Sequence, residues 1–166
     1  GNRNVITKER KPQDNFTGIQ VSTGIDLYIR QGNANSITVK ADENLHDIII
    51  TEVQNDILKI YSDKNIWKAK ARKVFVTLEN LTLIKATSGS DVYSETIIKT
   101  NEICITATSG ADIDIEITAQ NLETKATSGA DINISGTALN HASSATSGSA
   151  IDAYNLKSEN VIVKVT

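Results

Sequence analysis

A six-residue phrase returns four times in the second half of this 166-residue chain, and it leaves few folds open. Ala86-Thr87-Ser88-Gly89-Ser90-Asp91 recurs as Ala107-Thr108-Ser109-Gly110-Ala111-Asp112 and as Ala126-Thr127-Ser128-Gly129-Ala130-Asp131. It closes as Ala145-Thr146-Ser147-Gly148-Ser149-Ala150, and the spacings are 21, 19 and 19 residues. A degenerate copy, Val21-Ser22-Thr23-Gly24-Ile25-Asp26-Leu27-Tyr28-Ile29, aligns without gaps to Ala107 through Ile115. A fixed period of this length means that one small unit stacks on its neighbours.

After each Gly the chain alternates with period two. Ile113, Ile115 and Ile117 share one face, and Asp112, Asp114 and Glu116 share the other. Ile132 and Ile134 repeat this opposite Asn133 and Ser135, and Val161, Val163 and Val165 alternate with Ile162 and Lys164. This is the pattern of half-buried strands. A period of 19–21 residues accommodates two short strands and two turns. Neither strand buries its aliphatic face alone, so successive coils must stack, and the expected fold is an all-β solenoid. Gly supplies positive φ at one corner of each coil, and Ser and Thr hydroxyls are suited to bond local backbone there.

Composition agrees. The chain has 23 Ile and 18 Thr but only seven aromatics, one Pro, one Cys and no Met. β-Branched residues favour pleated surfaces, and a narrow coil has little room for rings. A helical bundle, a disulfide scaffold and a metal cluster are excluded, with Cys104 alone and His46 and His141 far apart. No apolar run approaches the roughly 20 residues that span a bilayer. The start, Gly1-Asn2-Arg3, lacks an initiator Met and suggests a processed or trimmed chain.

Charge divides the chain. Residues 1–85 carry a net of +3, and residues 86–153 a net of −7. The acidic second half argues against phosphate-backbone binding, so no nucleic-acid partner is expected. Lys64, Lys68, Lys70, Arg72 and Lys73 form the one basic run, read first as a solvated loop and strand edge.

The first half is less regular. Strands are expected at Phe16–Val21, Ile25–Arg30, Ser36–Lys40, Asp47–Val53, Ile57–Tyr61 and Lys73–Leu78, with five of the seven aromatics among or beside them. Residues 1–80 read as an irregular, antiparallel capping half, and 81–166 as regular repeat coils, the whole forming a single domain. The chain stops at Lys164-Val165-Thr166, in phase with Lys125-Ala126-Thr127, so the natural protein, or its disordered tail, is expected to continue past residue 166. Its open edge invites pairing with a second copy.

The opening Phe16-Thr17-Gly18-Ile19, the run Val21–Leu27, the stretch Ile57-Leu58-Lys59-Ile60 and the recurring Ser-Gly-Ser/Ala-Asp turns resemble the head GIN domain family, DUF2807, over roughly residues 15–166. The resemblance implies a right-handed β-helix-like solenoid, export to the periplasm, outer-membrane surface or extracellular space, and an adhesin label. It brings no catalytic residues. Ala150 departs from the Asp of the other copies.

The candidate chemistry is weighed against this architecture. Ser88, Ser109, Ser128 and Ser147 lack the oriented base that a nucleophile needs, and read as turn residues. Carboxylate pairs such as Asp112 with Asp114 would suit a polysaccharide lyase or glycosidase. Alternation, however, places acids on any solvated face. Asp91, Asp112 and Asp131 would stack along one edge, but their spacing does not match a calcium repeat, so no metal or other cofactor is expected. Cys104 reads as a packing residue, and both His as surface or turn residues. Thr87, Thr108, Thr127 and Thr146 would form a second row, and parity points Thr108 outward. The two rows are the candidate binding surface for a glycan or protein at the cell surface. The chain therefore reads as a non-enzymatic envelope binding or structural module, with a carbohydrate-active enzyme or a sensory ectodomain as alternatives.

Overall fold

The computed structural model describes all 166 residues. Its strands are β1 (Val5–Arg10), β2 (Gly18–Val21), β3 (Asp26–Gln31), β4 (Ser36–Asp42), β5 (Ile49–Gln54), β6 (Ile57–Ser62) and β7 (Arg72–Leu78). They continue as β8 (Leu83–Ala86), β9 (Asp91–Ser94), β10 (Ile98–Ala107), β11 (Asp112–Ala126), β12 (Asp131–Ala145), β13 (Ala150–Asp152) and β14 (Leu156–Val165). One 3-10 turn, Glu43–Leu45, is the sole helical element. All 14 strands belong to one hydrogen-bonded sheet wound into a β-solenoid.

Each coil has two faces. On the first, β3, β9, the start of β11, the start of β12 and β13 pair in parallel. On the second, β2, β8, the end of β10, the end of β11, the end of β12 and β14 do the same. Strands β11 and β12 are 15 residues each, because they run unbroken through the corner between the faces. Gln120 and Asn121, both exposed, mark that corner in β11 by interrupting the alternation.

Period-two alternation sends one aliphatic residue per coil into each inward row. Leu27, Val92, Ile113, Ile132 and Ile151 stand in register on the first face. Ile19, Ile84 and Ile105 do so on the second, followed by Thr124, Ser143 and Val163. The core is one cluster of buried, mainly aliphatic side chains, in which each Ile, Leu or Val is worth about 1.5–3 kcal/mol on full burial. The second row turns polar in its last coils, where Thr124 is buried and Ser143 half-buried.

The first half is antiparallel in part, as the sequence leads one to expect: β4 pairs with β7 and β5 with β6, and β1, a strand the sequence does not announce, pairs with β4. It also contains parallel coils. β2 lies between β6 and β8, and β3 lies between β7 and β9. The chain thus lays one coil at residues 18–31 and steps back to lay β6 and β7 on its far side. It then returns over the first coil to begin the regular repeats.

Candidate functional site

The repeated phrase builds one corner of every coil. Ser88, Ser109, Ser128 and Ser147 have φ between 52° and 56°, and the Gly after each has φ between 69° and 73°. The next backbone N–H donates to the Thr carbonyl, for example Ala111 to Thr108 at 3.1 Å. Two consecutive positive φ values closed by this bond define a type I′ turn, which Ser-Gly satisfies with strain only at Ser. Thr23 and Gly24 have φ of 60° and 67°, so the degenerate copy is a structural copy as well. The turns also bond one another. Gly24, Gly89, Gly110 and Gly129 each donate to the Ser carbonyl of the following turn, at 3.0–3.2 Å.

Thr87, Thr108, Thr127 and Thr146 sit at the first position of these turns and are half-buried. They point neither fully outward nor into the core, because the turn interrupts the strand parity. The Thr108 hydroxyl donates to Thr87 Oγ1 at 3.0 Å, so part of the row bonds to itself. At the last turn Ser149 takes over the capping: its hydroxyl accepts from Thr146 N–H at 3.0 Å and reaches the Ala126 and Thr146 carbonyls at 2.7 Å. Ser90, in the equivalent place, is buried with its hydroxyl unpartnered.

Immediately after the turns, Asp26, Asp91, Asp112 and Asp131 stand in register across four neighbouring strands. Asp91 is half-buried, and Asp112 and Asp131 are exposed. Burial, then the neighbouring Asp91 and Asp131 charges, pushes the Asp112 carboxyl up. Burial and Asp26 raise Asp91, against the lowering effect of Arg72. No three acidic, His or Cys side chains converge so as to hold a metal ion.

Two residues further on, the outward row is aromatic. Phe75, Tyr28 and Tyr93 are in register. The Tyr28 ring stacks on Phe75 at 4.9 Å and on Tyr93 at 5.2 Å between centroids. Tyr93, 37% exposed, opens onto a cavity of about 390 Å³ lined by Glu95, Thr96, Asp114, Glu116 and Ser135. A concavity of about 930 Å³ lies at the other corner, among Thr82, Lys99, Thr100, Glu102 and Asn121.

Two features escape the motif reading. Asn160 donates to Asn140 at 2.9 Å and Asn140 to Asn121 at 2.8 Å, a side-chain ladder at the second corner. Its signal is the recurrence of Asn at 19 and 20 residues. The second is histidine. Both are buried rather than at the surface, each 4% exposed. His141 occupies the inward row between Leu122 and Val161, with Nε2 2.8 Å from Thr124 Oγ1. His46 is tied to the Ile6 carbonyl at 3.1 Å. Parity carried 19 residues from Leu122 would have placed His141 inside. Cys104 lies half-buried on the outer side of the second face, and burial raises its thiol pKa.

On β14, Val161, Ile162, Val163 and Val165 are all exposed. No helix is long and apolar enough to cross a membrane.

The fold and its corner rows define a β-solenoid that displays the same few side chains once per coil on a rigid frame. The chain belongs to the DUF2807 family, described as "Putative auto-transporter adhesin, head GIN domain", whose model matches residues 15–166. Among solved structures it is similar to a putative adhesin from Bacteroides fragilis, with a TM-score of 0.91 and 23% identity over 98% of this chain and 76% of that one. A putative adhesin from Parabacteroides merdae gives a TM-score of 0.79 and 22% identity over 99% of this chain and 79% of that one. A putative lipid binding protein from Parabacteroides distasonis gives 0.73 and 19%, over 99% and 80%. These likenesses establish the shared fold. No curated protein matches the chain.

Proposed function

We propose that this chain is a non-enzymatic binding module of the bacterial cell envelope, exported and of adhesin type, which meets a glycan or protein through its repeat corner. One observation carries the reading. The Thr row Thr87, Thr108, Thr127 and Thr146 lies directly beside the Asp row Asp91, Asp112 and Asp131, and both advance by one strand per coil. Hydroxyls and carboxylates presented at a constant interval suit a ligand that itself repeats. The adhesin descriptions of the family and of two of the similar structures support the same reading.

Binding of the full chain to a glycan array and to adherent cells tests it. The variants are Thr108→Val with Thr127→Val, and Asp112→Asn with Asp131→Asn. Loss of binding in either, with no loss of stability on melting, is the expected result. Reducing-end or unsaturated products released from polysaccharides by the wild-type chain, with no binding detected, would favour a carbohydrate-active enzyme instead.

A further inference from the structure

The basic run that composition alone leaves as a solvated loop is folded into a concave site. Between β6 and β7 the chain crosses from one face of the solenoid to the other without regular structure. There it encloses a cavity of about 430 Å³ with the N-terminal segment and the start of β3. Five cations line it, Arg3, Lys68, Lys70, Arg72 and Lys73, against a single carboxylate, Asp26. None of the five is in a salt bridge; the molecule's two such pairs, Arg30–Glu95 and Lys125–Glu123, lie elsewhere. Trp67 lines the same cavity and is 91% exposed, with nothing of the protein covering its ring.

The loop is held in place from below. Asp42 is fully buried, and its carboxylate accepts from the backbone N–H groups of Arg3 at 2.9 Å, Lys70 at 3.0 Å and Ala71 at 2.9 Å. Burial alone would push this carboxyl up. The N–H groups of Ala71, Arg3 and Lys70 outweigh that and hold it below the ordinary range, so the anchor is ionised. Lys73 stands over the Tyr28 ring at 5.4 Å, and Arg72 and Lys73 act on Asp26; Arg3, Lys68 and Lys70 remain, on an anchored backbone, as an anion site that avoids part of the entropy cost of ordering on binding.

We propose that this cavity binds an acidic sugar unit of a polysaccharide. The Trp67 indole stacks on the C–H face of the ring, and Lys68, Lys70 and Arg3 hold its carboxylate, sulfate or phosphate. Three features favour a sugar over an anionic bilayer. The site is concave, its size is that of a small-molecule pocket, and it offers one aromatic wall rather than an apolar face for insertion. The proposal rests on reading the chain as a binding module, but it uses none of the Thr or Asp rows of the repeat corner.

Titration of the full chain with polygalacturonate, dextran sulfate, neutral dextran and phosphatidylglycerol vesicles tests it. The two acidic polymers should bind, more weakly as salt rises, and dextran should not. Trp67→Ala should weaken binding roughly three- to tenfold. Lys68→Gln with Lys70→Gln should weaken it by a similar factor without changing the melting temperature, because both side chains are exposed. Equal binding of dextran, wild-type affinity in both variants, or binding to vesicles but not to the polymers would each overturn the proposal. A chain that binds cells through its repeat corner yet ignores the acidic polymers sinks this proposal alone. Polymer binding lost in the loop variants and kept in Asp112→Asn with Asp131→Asn supports it independently of the rows.

Discussion

The two halves of the molecule build parallel coils by different means. In residues 81–166 the chain advances one coil per period, so each new strand lies beside its predecessor and identical residues come into register. In residues 1–80 it doubles back. In sequence β4 and β5 intervene before the coil of β6 and β7, which pairs directly with β2 and β3, and its corner is a cationic loop in place of a Ser-Gly turn. Local succession makes the regular half uniform. Long-range closure lets the first half vary its corner, place aromatics on its face and hold a cavity. In this fold, variety in side chains costs regularity of path.

The largest test of this contrast compares two glycines. Gly136, in the regular half, has φ of 107°, and a Cβ there would lie 1.9 Å from the Ile117 carbonyl oxygen. It stands in register between Ile117 and Leu156, so the strands on either side fix its place. Gly136→Ala should cost upwards of about 3 kcal/mol in urea unfolding or disorder the last coils. Gly18, in the first half, has ordinary φ, and its Cβ would meet the Leu83 and Ile57 side chains at 3.2 and 3.3 Å. Gly18→Ala should cost about 1 kcal/mol. Equal losses would mean that register is no stricter in the repeats than in the irregular half.

The next test is pH. Burial lowers the pKa of His141, whereas the unfolded chain binds the proton with its ordinary pKa near 6.5. On acidification the unfolded state therefore takes up the proton first. The stability in question is fully present above about pH 6.5 and is lost as pH falls below that value towards the lowered folded pKa. Urea melts between pH 7.5 and 5.5 should show this decline, and His141→Gln should remove it. The raised carboxyls of Asp91 and Asp112 act with the opposite sign: their contribution grows as pH falls through their elevated pKa values towards the ordinary 3.8. The difference between wild type and variant isolates the histidine.

Smaller effects distinguish the copies of the repeat. Ser90 is the one early turn residue with a buried, unpartnered hydroxyl, where the next two copies carry Ala111 and Ala130. Ser90→Ala should stabilise by about 1 kcal/mol in the same melts. Asp112→Asn removes a charge lying between Asp91 and Asp131 and should gain about 0.2–1 kcal/mol, less as salt rises. A loss in either variant would mean that the regular half is not tuned by its rows.

Much of this was legible because a turn motif is a local signal. Ser-Gly with positive φ marks each corner, and alternation after it gives each inward Ile, so even the degenerate copy at Val21 could be placed. The β6–β7 coil was legible only as strands, since the loop from Asp63 to Ala71 has a turn signal at its start but no Ser-Gly motif to link it to the others. β1 was missed because Val5–Arg10 is flanked by polar residues and pairs only at an edge, with β4. Parity alone points Thr108 outward, whereas the row is half-buried, because a type I′ turn breaks strand parity at that residue. The cationic cavity depends on Asp42 and Arg3, 28 and 67 residues away from Lys70 in sequence, and no short-range pattern joins them.

The hydrogen bonds that pass from Gly24 to Ser88 and on through Gly89, Gly110 and Gly129 fix the repeat corner at the interval between hydrogen-bonded strands, about 4.8 Å. A corner of fixed pitch acts as a graduated rule. If the corner is the binding surface proposed above, a polymer whose own repeat is commensurate with that pitch engages every graduation, and its affinity multiplies with each coil it spans. One that is incommensurate drifts out of phase within a few units and gains nothing from a longer solenoid. Selectivity then resides in the beat between two periodicities, and the number of coils determines how sharply that beat is heard.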